Sequence, residues 1–235
     1  MSNGELPEWE RVLSAAARLQ RIVPDAVLVG GTASAAYAQH RFSRDADHVL
    51  PNLRDKFDET LAALESVAGW TTARVNRPVM ILGSLDGIET GIRQLIRTAP
   101  LETQSIEFAG QKITLPTEAE ILRIKGWLIL RRNATRDYLD FAALAYRMGP
   151  EKVVEALRNL DQLYPQSNQE SALMQLQIQL ANPMPFDLDK IQLAEYKSLD
   201  PQWQDWAAVK TVCQTTSLLI FDGIVAWAPS SPPSP

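Results

Sequence analysis

The first 115 residues carry both helical and strand-like patterns of apolar positions. Apolar residues from Trp9 to Val23 recur at helical spacing, and residues 53–67 repeat that pattern. Asp86-Gly87 lies between two apolar runs and is typical of a hairpin turn. Apolar runs bounded by turn residues predict strands at 26–29, 79–85, 88–95, 105–108 and 112–115.

Beyond that point the pattern becomes entirely helical. Residues 117–120, Thr-Glu-Ala-Glu, form a capping-box sequence that predicts the start of a helix near Thr117. Thr135 is the predicted N-cap of a second helix, which ends at Met148 before a Gly-Pro pair. Further amphipathic helices are predicted within 168–180 and 201–221.

This change of pattern predicts how the chain is organised. A mixed part followed by an all-helical part is typical of an α+β protein with a mixed-sheet core and a helical C-terminal lobe. We expect the core in residues 1–115 and the lobe in residues 116–227. Residues 228–235 are rich in Pro and Ser, so we expect a disordered tail.

Residues 26–34 have the pattern of a phosphate-binding turn. The first apolar run leads into Gly30 and Gly31, after which the chain is rich in Ala and predicts a helix. Glycines let a ligand approach the main chain closely, and a helix N-terminus offers N–H groups and a positive dipole to an anion. Thr32 and Ser34 add hydroxyl donors. These four residues are candidates to bind the phosphates of a nucleotide.

Asp45 and Asp47 form a candidate metal site. They lie one residue apart, where the sequence becomes apolar and β-branched and predicts a strand. Alternate strand residues share a face, and Mg²⁺ favours one or two carboxylates completed by substrate phosphates and water. The glycine turn and the aspartate pair would then hold two ends of one nucleoside triphosphate. Alternatively, the glycines form only a sharp turn and the aspartates a solvated strand end.

Together these elements resemble the nucleotidyltransferase superfamily of the DNA polymerase β type, whose signature is a glycine turn, a helix and an Asp-x-Asp or Asp-x-Glu strand. Within it, His40-Arg41-x-Ser43-x-Asp45-x-Asp47 is similar to the AbiEii/AbiGii toxin branch. The resemblance covers residues 26–148 and implies a polymerase β-like mixed-sheet core. It also implies that Arg41 and Ser43 lie at the nucleotide.

A second cluster, farther along the chain, resembles another motif of AbiEii-like proteins. Lys125, Arg132, Arg136-Asp137 and Asp140 follow one another in the order of that motif. The resemblance implies that Lys125 and Asp140 belong to the active site and that Arg132 and Arg136 lie near the triphosphate. The spacing would let the last three residues share a helix face. Alternatively, the charges form an ion network that joins two helices.

Transferases of the polymerase β type usually carry a third carboxylate on a neighbouring strand. Glu89 is the candidate, because it follows the Asp86-Gly87 turn on a predicted strand. Asp140 is the alternative, whereas the turn itself explains Asp86. A third carboxylate would complete a two-ion magnesium site or act as a base.

Composition limits the setting of this chemistry. The chain has 235 residues, and we expect none of its apolar runs to span a bilayer. With one cysteine, Cys213, and no signal-peptide pattern at the start, a cytoplasmic location is expected. A net charge of −5 argues against a generally basic nucleic-acid surface. Two histidines, His40 and His48, make a zinc site improbable.

The predicted activity is Mg²⁺-dependent transfer of a nucleoside monophosphate from an NTP to an acceptor hydroxyl, with pyrophosphate as the leaving group. The resemblance implies a toxin whose acceptor is tRNA or another RNA and which a cognate antitoxin restrains. Two alternatives stay open. One is a nucleotide-binding regulatory or interaction module with lapsed catalysis, and the other is a transferase acting on a small molecule such as an aminoglycoside.

Overall fold

A five-stranded mixed sheet organises the N-terminal part of the chain. The computed structural model describes residues 8–227, so the predicted tail at 228–235 lies outside the described residues. The chain divides into two units. The first unit extends to Ile121 and takes in Tyr196–Leu199, and the second comprises Leu122–Glu195 and the chain from Asp200 onward.

In the first unit, three helices alternate with the first strands, and only strands follow from there to Pro116. Its elements are α1 (Glu8–Ile22), β1 (Val27–Leu28), α2 (Gly30–Ala38), β2 (Ala46–Leu50), α3 (Phe57–Glu65), β3 (Trp70–Asn76), β4 (Met80–Leu85), β5 (Ile88–Gln94), β6 (Thr103–Phe108) and β7 (Gln111–Pro116). The strand order of the large sheet is β1-β2-β5-β4-β3, and β6 pairs with β7 in a separate hairpin. β2 and β5 are parallel, and the other neighbours are antiparallel.

The core of the first unit lies where the first helix and α3 cover the sheet. Its fully buried members include Leu19 on α1, Leu50 at the end of β2, and Ile81 and Ile92 on the central strands. Alternate residues of β2 are buried, so one face of this strand packs into the unit and the other is partly open. The candidate metal ligands lie on the open face.

In the part of the chain that the structure describes, all secondary structure after Pro116 is helical. The helices are α4 (Glu118–Arg132), α5 (Thr135–Met148), α6 (Pro150–Leu157), α7 (Leu160–Leu163), α8 (Ala172–Ala181) and α9 (Trp206–Trp227), with short 3₁₀ turns at Leu193–Glu195 and Pro201–Trp203. The mixed sheet followed by helices confirms the α+β class with a helical C-terminal part.

Local signals located most helix and hairpin ends correctly. The amide of Glu120 donates to the Thr117 hydroxyl at 3.2 Å, which confirms Thr117 as the cap of α4. Asp86 and Gly87 both have positive φ, at 53° and 78°, as the predicted hairpin requires. α3 begins at Phe57, later than the pattern from residue 53 indicated, because residues 51–56 form turns.

Three other predictions need correction. β3 was not predicted, because this edge strand is mostly exposed and lacks an apolar face. The N-cap of α5 is Ala134 instead of Thr135, which is the first helical residue. In the C-terminal part, residues 201–203 form a 3₁₀ turn, and the helix itself begins at Trp206.

The last helix also corrects the expectation about membrane spans. α9 has 22 residues and is long and apolar enough to cross a membrane by length and composition. Core helices of soluble proteins meet the same criteria. Within the second unit, α9 packs against α5, α6 and α8, and its buried positions include Val209, Cys213 and Ile220.

Candidate active site

The glycine turn opens α2 directly. Gly30 and Gly31 are the first two residues of the helix, after Val29 in an extended conformation that provides no side-chain cap. Gly30 has φ of +74°, a conformation that other residues adopt only with strain. The first N–H groups of α2 therefore lack a side-chain cap from Val29, as an anion-binding helix N-terminus requires.

Arg41 and Ser43 lie against the second glycine. A Cβ atom added to Gly31 would come within 2.6 Å of Arg41 Nη2 and 2.8 Å of Ser43 Oγ. Both residues are largely buried, with 7% of each exposed. A glycine at this position thus lets the guanidinium group of Arg41 lie beside the first turn of α2, where it adds positive charge to the helix dipole.

The two aspartates lie on the open face of β2 and its approach. Asp45 precedes the strand by one residue, and Asp45 and Asp47 are both half-buried, whereas Ala46 and His48 between and beyond them are buried. A Cβ atom added to Gly30 would be 3.5 Å from Asp47 Oδ2. The structure therefore brings together the glycine turn and the aspartate pair that the sequence analysis had linked.

The predicted hydroxyl donors hold this arrangement in place. Thr32 Oγ1 donates to the carbonyl oxygen of Asp45 at 2.6 Å, and Ser34 Oγ donates to the carbonyl oxygen of Gly30 at 3.0 Å. The Ser43 hydroxyl donates to Asp45 Oδ1. Thr32 and Ser34 are buried; the Thr32 hydroxyl joins α2 to the residue that precedes β2, whereas the Ser34 hydroxyl bonds within α2.

Glu89 lies on the same face of the sheet as the aspartates. In the parallel pairing of β2 with β5, Ala46 is opposite Thr90 and Asp47 opposite Gly91, which places Glu89 level with Asp45. Its side chain is exposed. Among residues 8–227, however, no three Asp, Glu, His or Cys side chains are grouped closely enough to hold a metal ion.

The residues that are present fit a magnesium ion that is shared with a substrate. Asp45 and Asp47 supply two carboxylates on one partly open face, next to the first turn of α2. Mg²⁺ typically takes one or two carboxylates from the protein and completes its shell with phosphate oxygens and water. A third protein ligand is therefore not needed for this kind of site.

His48 belongs to the other face of β2. It is fully buried, and burial lowers the pKa of its imidazole to about 4. A neutral, buried side chain on the core face is typical of a structural residue. His40 is buried as well, with 1% exposed.

The second cluster forms a buried ion network in the second unit. Lys125 Nζ lies 2.7 Å from Asp140 Oδ2 and 3.5 Å from Asp137 Oδ1. Arg132 donates two hydrogen bonds to Asp137, of 3.1 and 2.9 Å. Lys125 has 2% of its surface exposed, and both aspartates have none. The network joins α4 to α5.

Arg136 is not part of the buried side of α5. Its side chain is exposed, whereas Asp137 and Asp140 are buried. Arg136, Asp137 and Asp140 lie within an arc of about 100° on this helix, as the spacing predicted, but packing buries the two aspartates and leaves Arg136 exposed. Arg132 is exposed as well, with 39% of its side chain accessible, although its guanidinium group binds Asp137.

Two residues that the sequence analysis missed hold the turn between α4 and α5. Asp187 Oδ1 accepts hydrogen bonds from the amide and the hydroxyl of Thr135, at 2.8 and 2.7 Å, so Asp187 supplies the cap expected from Thr135. Asn133 has φ of 47° and accepts at Oδ1 from the Tyr138 hydroxyl at 2.7 Å. Asn favours a left-handed conformation and is a recognisable turn signal. No sequence signal, however, indicates that Asp187 bonds to Thr135, 52 residues earlier.

A family model matches most of the chain. Residues 11–219 match the model of the family described as nucleotidyl transferase AbiEii toxin, type IV TA system. The match extends well beyond residues 26–148, to which the recognisable motifs are confined. The family model thus includes the N-terminal helix and most of the helical part.

Structural comparison shows the same fold. A crystal structure of a putative nucleotidyltransferase from H. pylori is similar with a TM-score of 0.56 at 16% sequence identity, over 94% of this chain and 97% of that one. At this level of identity the likeness concerns the fold alone.

Sequence relatives of a different description also match. The chain is 32% identical over 227 residues to the probable transport protein MmpL11 of Mycobacterium bovis and to the heme uptake protein MmpL11 of Mycobacterium tuberculosis. These matches cover 90% of this chain but 22% of each relative, so the chain spans about a fifth of their length. The family match over residues 11–219 leads to one conclusion: the chain belongs to the AbiEii nucleotidyltransferase toxin family.

Proposed function

We propose that this nucleotidyltransferase moves a nucleoside monophosphate from an NTP to an acceptor hydroxyl with the help of Mg²⁺ held by Asp45 and Asp47. The observation that carries the proposal is the closeness of the two glycines to charged side chains: a Cβ atom added to Gly30 would be 3.5 Å from Asp47 Oδ2, and one added to Gly31 would be 2.6 Å from Arg41 Nη2. A phosphate-binding helix start and two cation-binding carboxylates thus lie next to each other.

In the first unit, one set of groups would bind the phosphates of the NTP and another would hold the metal ion. The first N–H groups of α2 and the guanidinium group of Arg41 would bind the phosphates. Asp45 and Asp47 would hold the metal, which when bound neutralises phosphate charge and lowers the pKa of the acceptor hydroxyl. Ser43 would keep the Asp45 carboxylate oriented through its hydrogen bond.

We assign the third carboxylate to Glu89. It is exposed, and it lies level with Asp45 on the same face of the sheet. From there it could accept the proton of an acceptor hydroxyl. Asp140, the alternative, is fully buried and engaged by Lys125 at 2.7 Å, so its carboxylate is already neutralised by an ammonium group.

We propose that the main role of Lys125, Asp140 and Arg132 is to hold α4 against α5. Three of the charges in this network are buried, and each has an opposite charge within 3.5 Å. Arg136, which like Arg132 is exposed, would be a cation of this motif accessible to a phosphate. Direct contact of Lys125 with a triphosphate is the competing proposal, and the two predict different effects of its removal.

The family description also suggests partners and a setting. A toxin of a toxin-antitoxin system implies a nucleotide substrate and an antitoxin. We propose that the acceptor is an RNA, with tRNA as the first to test, and that the reaction takes place in the cytoplasm. The buried free thiol of Cys213, whose pKa burial raises to about 12, is compatible with a reducing compartment.

Removal of the aspartate pair tests the proposal. Asp45→Asn combined with Asp47→Asn should abolish Mg²⁺-dependent transfer of labelled NMP to RNA, because both charges that hold the cation are lost. Asp55→Asn combined with Glu59→Gln is the matched control, since it removes two exposed carboxylates from the same unit. Circular dichroism should show that both proteins are folded.

Full activity of the aspartate variant would refute the metal assignment. If the wild-type protein binds NTP with Mg²⁺ but transfers NMP to neither RNA nor an aminoglycoside, a nucleotide-binding module with lapsed catalysis becomes the better description. Transfer to an aminoglycoside alone would identify a small-molecule transferase.

A further inference from the structure

A short segment from the C-terminal part of the chain belongs to the first unit. Tyr196–Leu199 lies in sequence between Glu195 and Asp200, which are both in the second unit, but packs with the first. Leu199 is buried, with 6% exposed. We call Tyr196–Leu199 the strap. Its position in sequence gives no hint that it supports the motif around Arg41.

The strap is attached to the backbone of the motif loop. The amide of Phe42 donates to the carbonyl oxygen of Lys197 at 2.9 Å. Phe42 is flanked in sequence by Arg41 and Ser43, the two residues whose side chains lie against Gly31. A hydrogen bond at Phe42 therefore fixes the chain between two side chains of the candidate nucleotide site.

α1 holds the loop from another direction. Trp9 stacks on Phe42 with ring centroids 5.8 Å apart. Glu8 forms ion pairs with Lys197 of the strap and, at 3.8 Å, with Arg44 of the loop. These ion pairs are partly exposed and contribute little individually, but they connect the strap, the loop and α1.

Tyr196 contacts Arg41, a candidate nucleotide-binding residue. The guanidinium carbon of Arg41 lies 5.5 Å from the centre of the Tyr196 ring, within the range of a cation–π interaction. The same guanidinium group lies where a side chain on Gly31 would otherwise be. Arg41 is thus held between an aromatic ring and the first turn of α2.

We infer that Tyr196 is a positioning residue, which holds the Arg41 guanidinium group at the N-terminus of α2 for contact with the phosphates of the NTP. This inference rests on the proposed function. A free arginine side chain has several rotatable bonds, and ordering it when substrate binds costs conformational entropy. An aromatic ring that orders Arg41 beforehand lowers this cost and strengthens NTP binding.

The ring of Tyr196 can be tested apart from its hydroxyl group. Tyr196→Leu should raise the KM for NTP by about three- to tenfold, the range expected from one cation–π contact. The kcat should stay within about twofold, because the interaction exists before the transition state is reached. Tyr196→Phe keeps the ring and should behave like the wild type. Tyr196→Gln replaces the ring by a polar side chain and takes the place of the leucine variant if that variant does not fold.

Coupling to Arg41 separates positioning from general stabilisation. In an Arg41→Gln background, Tyr196→Leu should cause no further rise in KM, since the cation it orders is already gone. Tyr146→Leu is the matched control, because Tyr146 is an exposed tyrosine on α5 that also contacts another aromatic ring. It should leave the KM unchanged.

Three results would overturn the inference while the proposed function stands. They are an unchanged KM in Tyr196→Leu, the same rise with or without Arg41, and equal effects of Tyr196→Phe and Tyr196→Leu. If the wild-type protein neither binds NTP nor transfers NMP, the proposed function fails and the inference fails with it, which is a distinct outcome.

Discussion

Two pairs of aspartates, one in each unit, have opposite surroundings. In the first unit, Asp45 and Asp47 are half-buried on an open strand face. In the second unit, Asp137 and Asp140 are fully buried, and Lys125 and Arg132 lie within 2.9 Å of one or the other. The two aspartates of each pair are two or three residues apart in the sequence, so the pairs differ in burial and not in spacing.

The difference in burial determines what each pair of carboxylates can do. A half-buried aspartate keeps access to water and can exchange it for a cation and a phosphate-bearing ligand. A fully buried aspartate must be neutralised by its neighbours, because an unpaired buried charge costs several kcal/mol. The first cluster is therefore suited to binding and the second to holding helices together.

The largest expected effect is that of Lys125→Met on stability. Removing the ammonium group leaves Asp140 buried without its partner at 2.7 Å, and breaking such a pair costs about 3 to 5 kcal/mol. For a chain of this size the melting temperature should fall by roughly 6 to 20 °C. Thermal unfolding followed by circular dichroism measures this.

A second substitution shows whether charge balance is the cause. Lys125→Met combined with Asp140→Asn removes one charge of each sign and leaves the Arg132–Asp137 pair intact, so much of the lost stability should return. If Lys125→Met instead weakens NTP binding by about tenfold or more with an unchanged melting temperature, Lys125 contacts the triphosphate and the contrast between the two clusters breaks down.

A smaller effect, on binding, is expected from Gly31→Ala. The new methyl group would lie 2.6 Å from Arg41 Nη2 and 2.8 Å from Ser43 Oγ, so both side chains would have to shift, and the flexible arginine would move aside. Loss of one charge-assisted contact should weaken NTP binding about tenfold, with little change in stability. Isothermal titration of NTP in the presence of Mg²⁺ gives the affinity.

Gly110→Ala is the control for this glycine. Gly110 has φ of +73° and no atom within 4 Å of an added Cβ, so alanine there strains the backbone of the β6–β7 turn without touching the site. It should lower the melting temperature and leave NTP affinity unchanged. Equal affinities for Gly31→Ala and the wild type would show that Arg41 does not contact the nucleotide.

The smallest effect is expected from Asp187→Ala in the second unit. It removes the acceptor for the amide and hydroxyl of Thr135, and loss of an N-cap costs about 0.5 to 2 kcal/mol. Denaturant unfolding should show this loss, whereas Asp189→Ala, at an exposed position nearby, should have no effect. An equal cost for both would mean that Asp187 does not cap α5.

The candidate site was predictable where its geometry is local. Gly30 and Gly31 mark the start of α2 because their backbone can adopt a conformation closed to other residues. Asp45 and Asp47 share a face because strand residues alternate. The pairing of β2 with β5 added Glu89 to that face, and the hairpin signal at Asp86-Gly87 indicated its strand correctly.

Contacts between distant parts of the chain were not predictable in this way. Nothing in the residues around Tyr196 indicates that its ring packs under Arg41, and Asp187 caps a helix that begins 52 residues earlier. Burial was equally hidden. Helical spacing alone allowed Arg136 to join Asp137 and Asp140, but the packing of α5 buries the two aspartates and leaves Arg136 exposed.

One measurement compares the two clusters directly: calorimetric titration of each NTP with Mg²⁺ into three proteins. These are the wild type, Asp45→Asn with Asp47→Asn, and Lys125→Met with Asp140→Asn. Our account predicts that Mg²⁺-dependent affinity falls by about a hundredfold or more in the first variant, which loses two charge-assisted contacts, and changes by less than about tenfold in the second. Unchanged affinity in the Asp45/Asp47 variant, with loss in the Lys125/Asp140 variant, would contradict it.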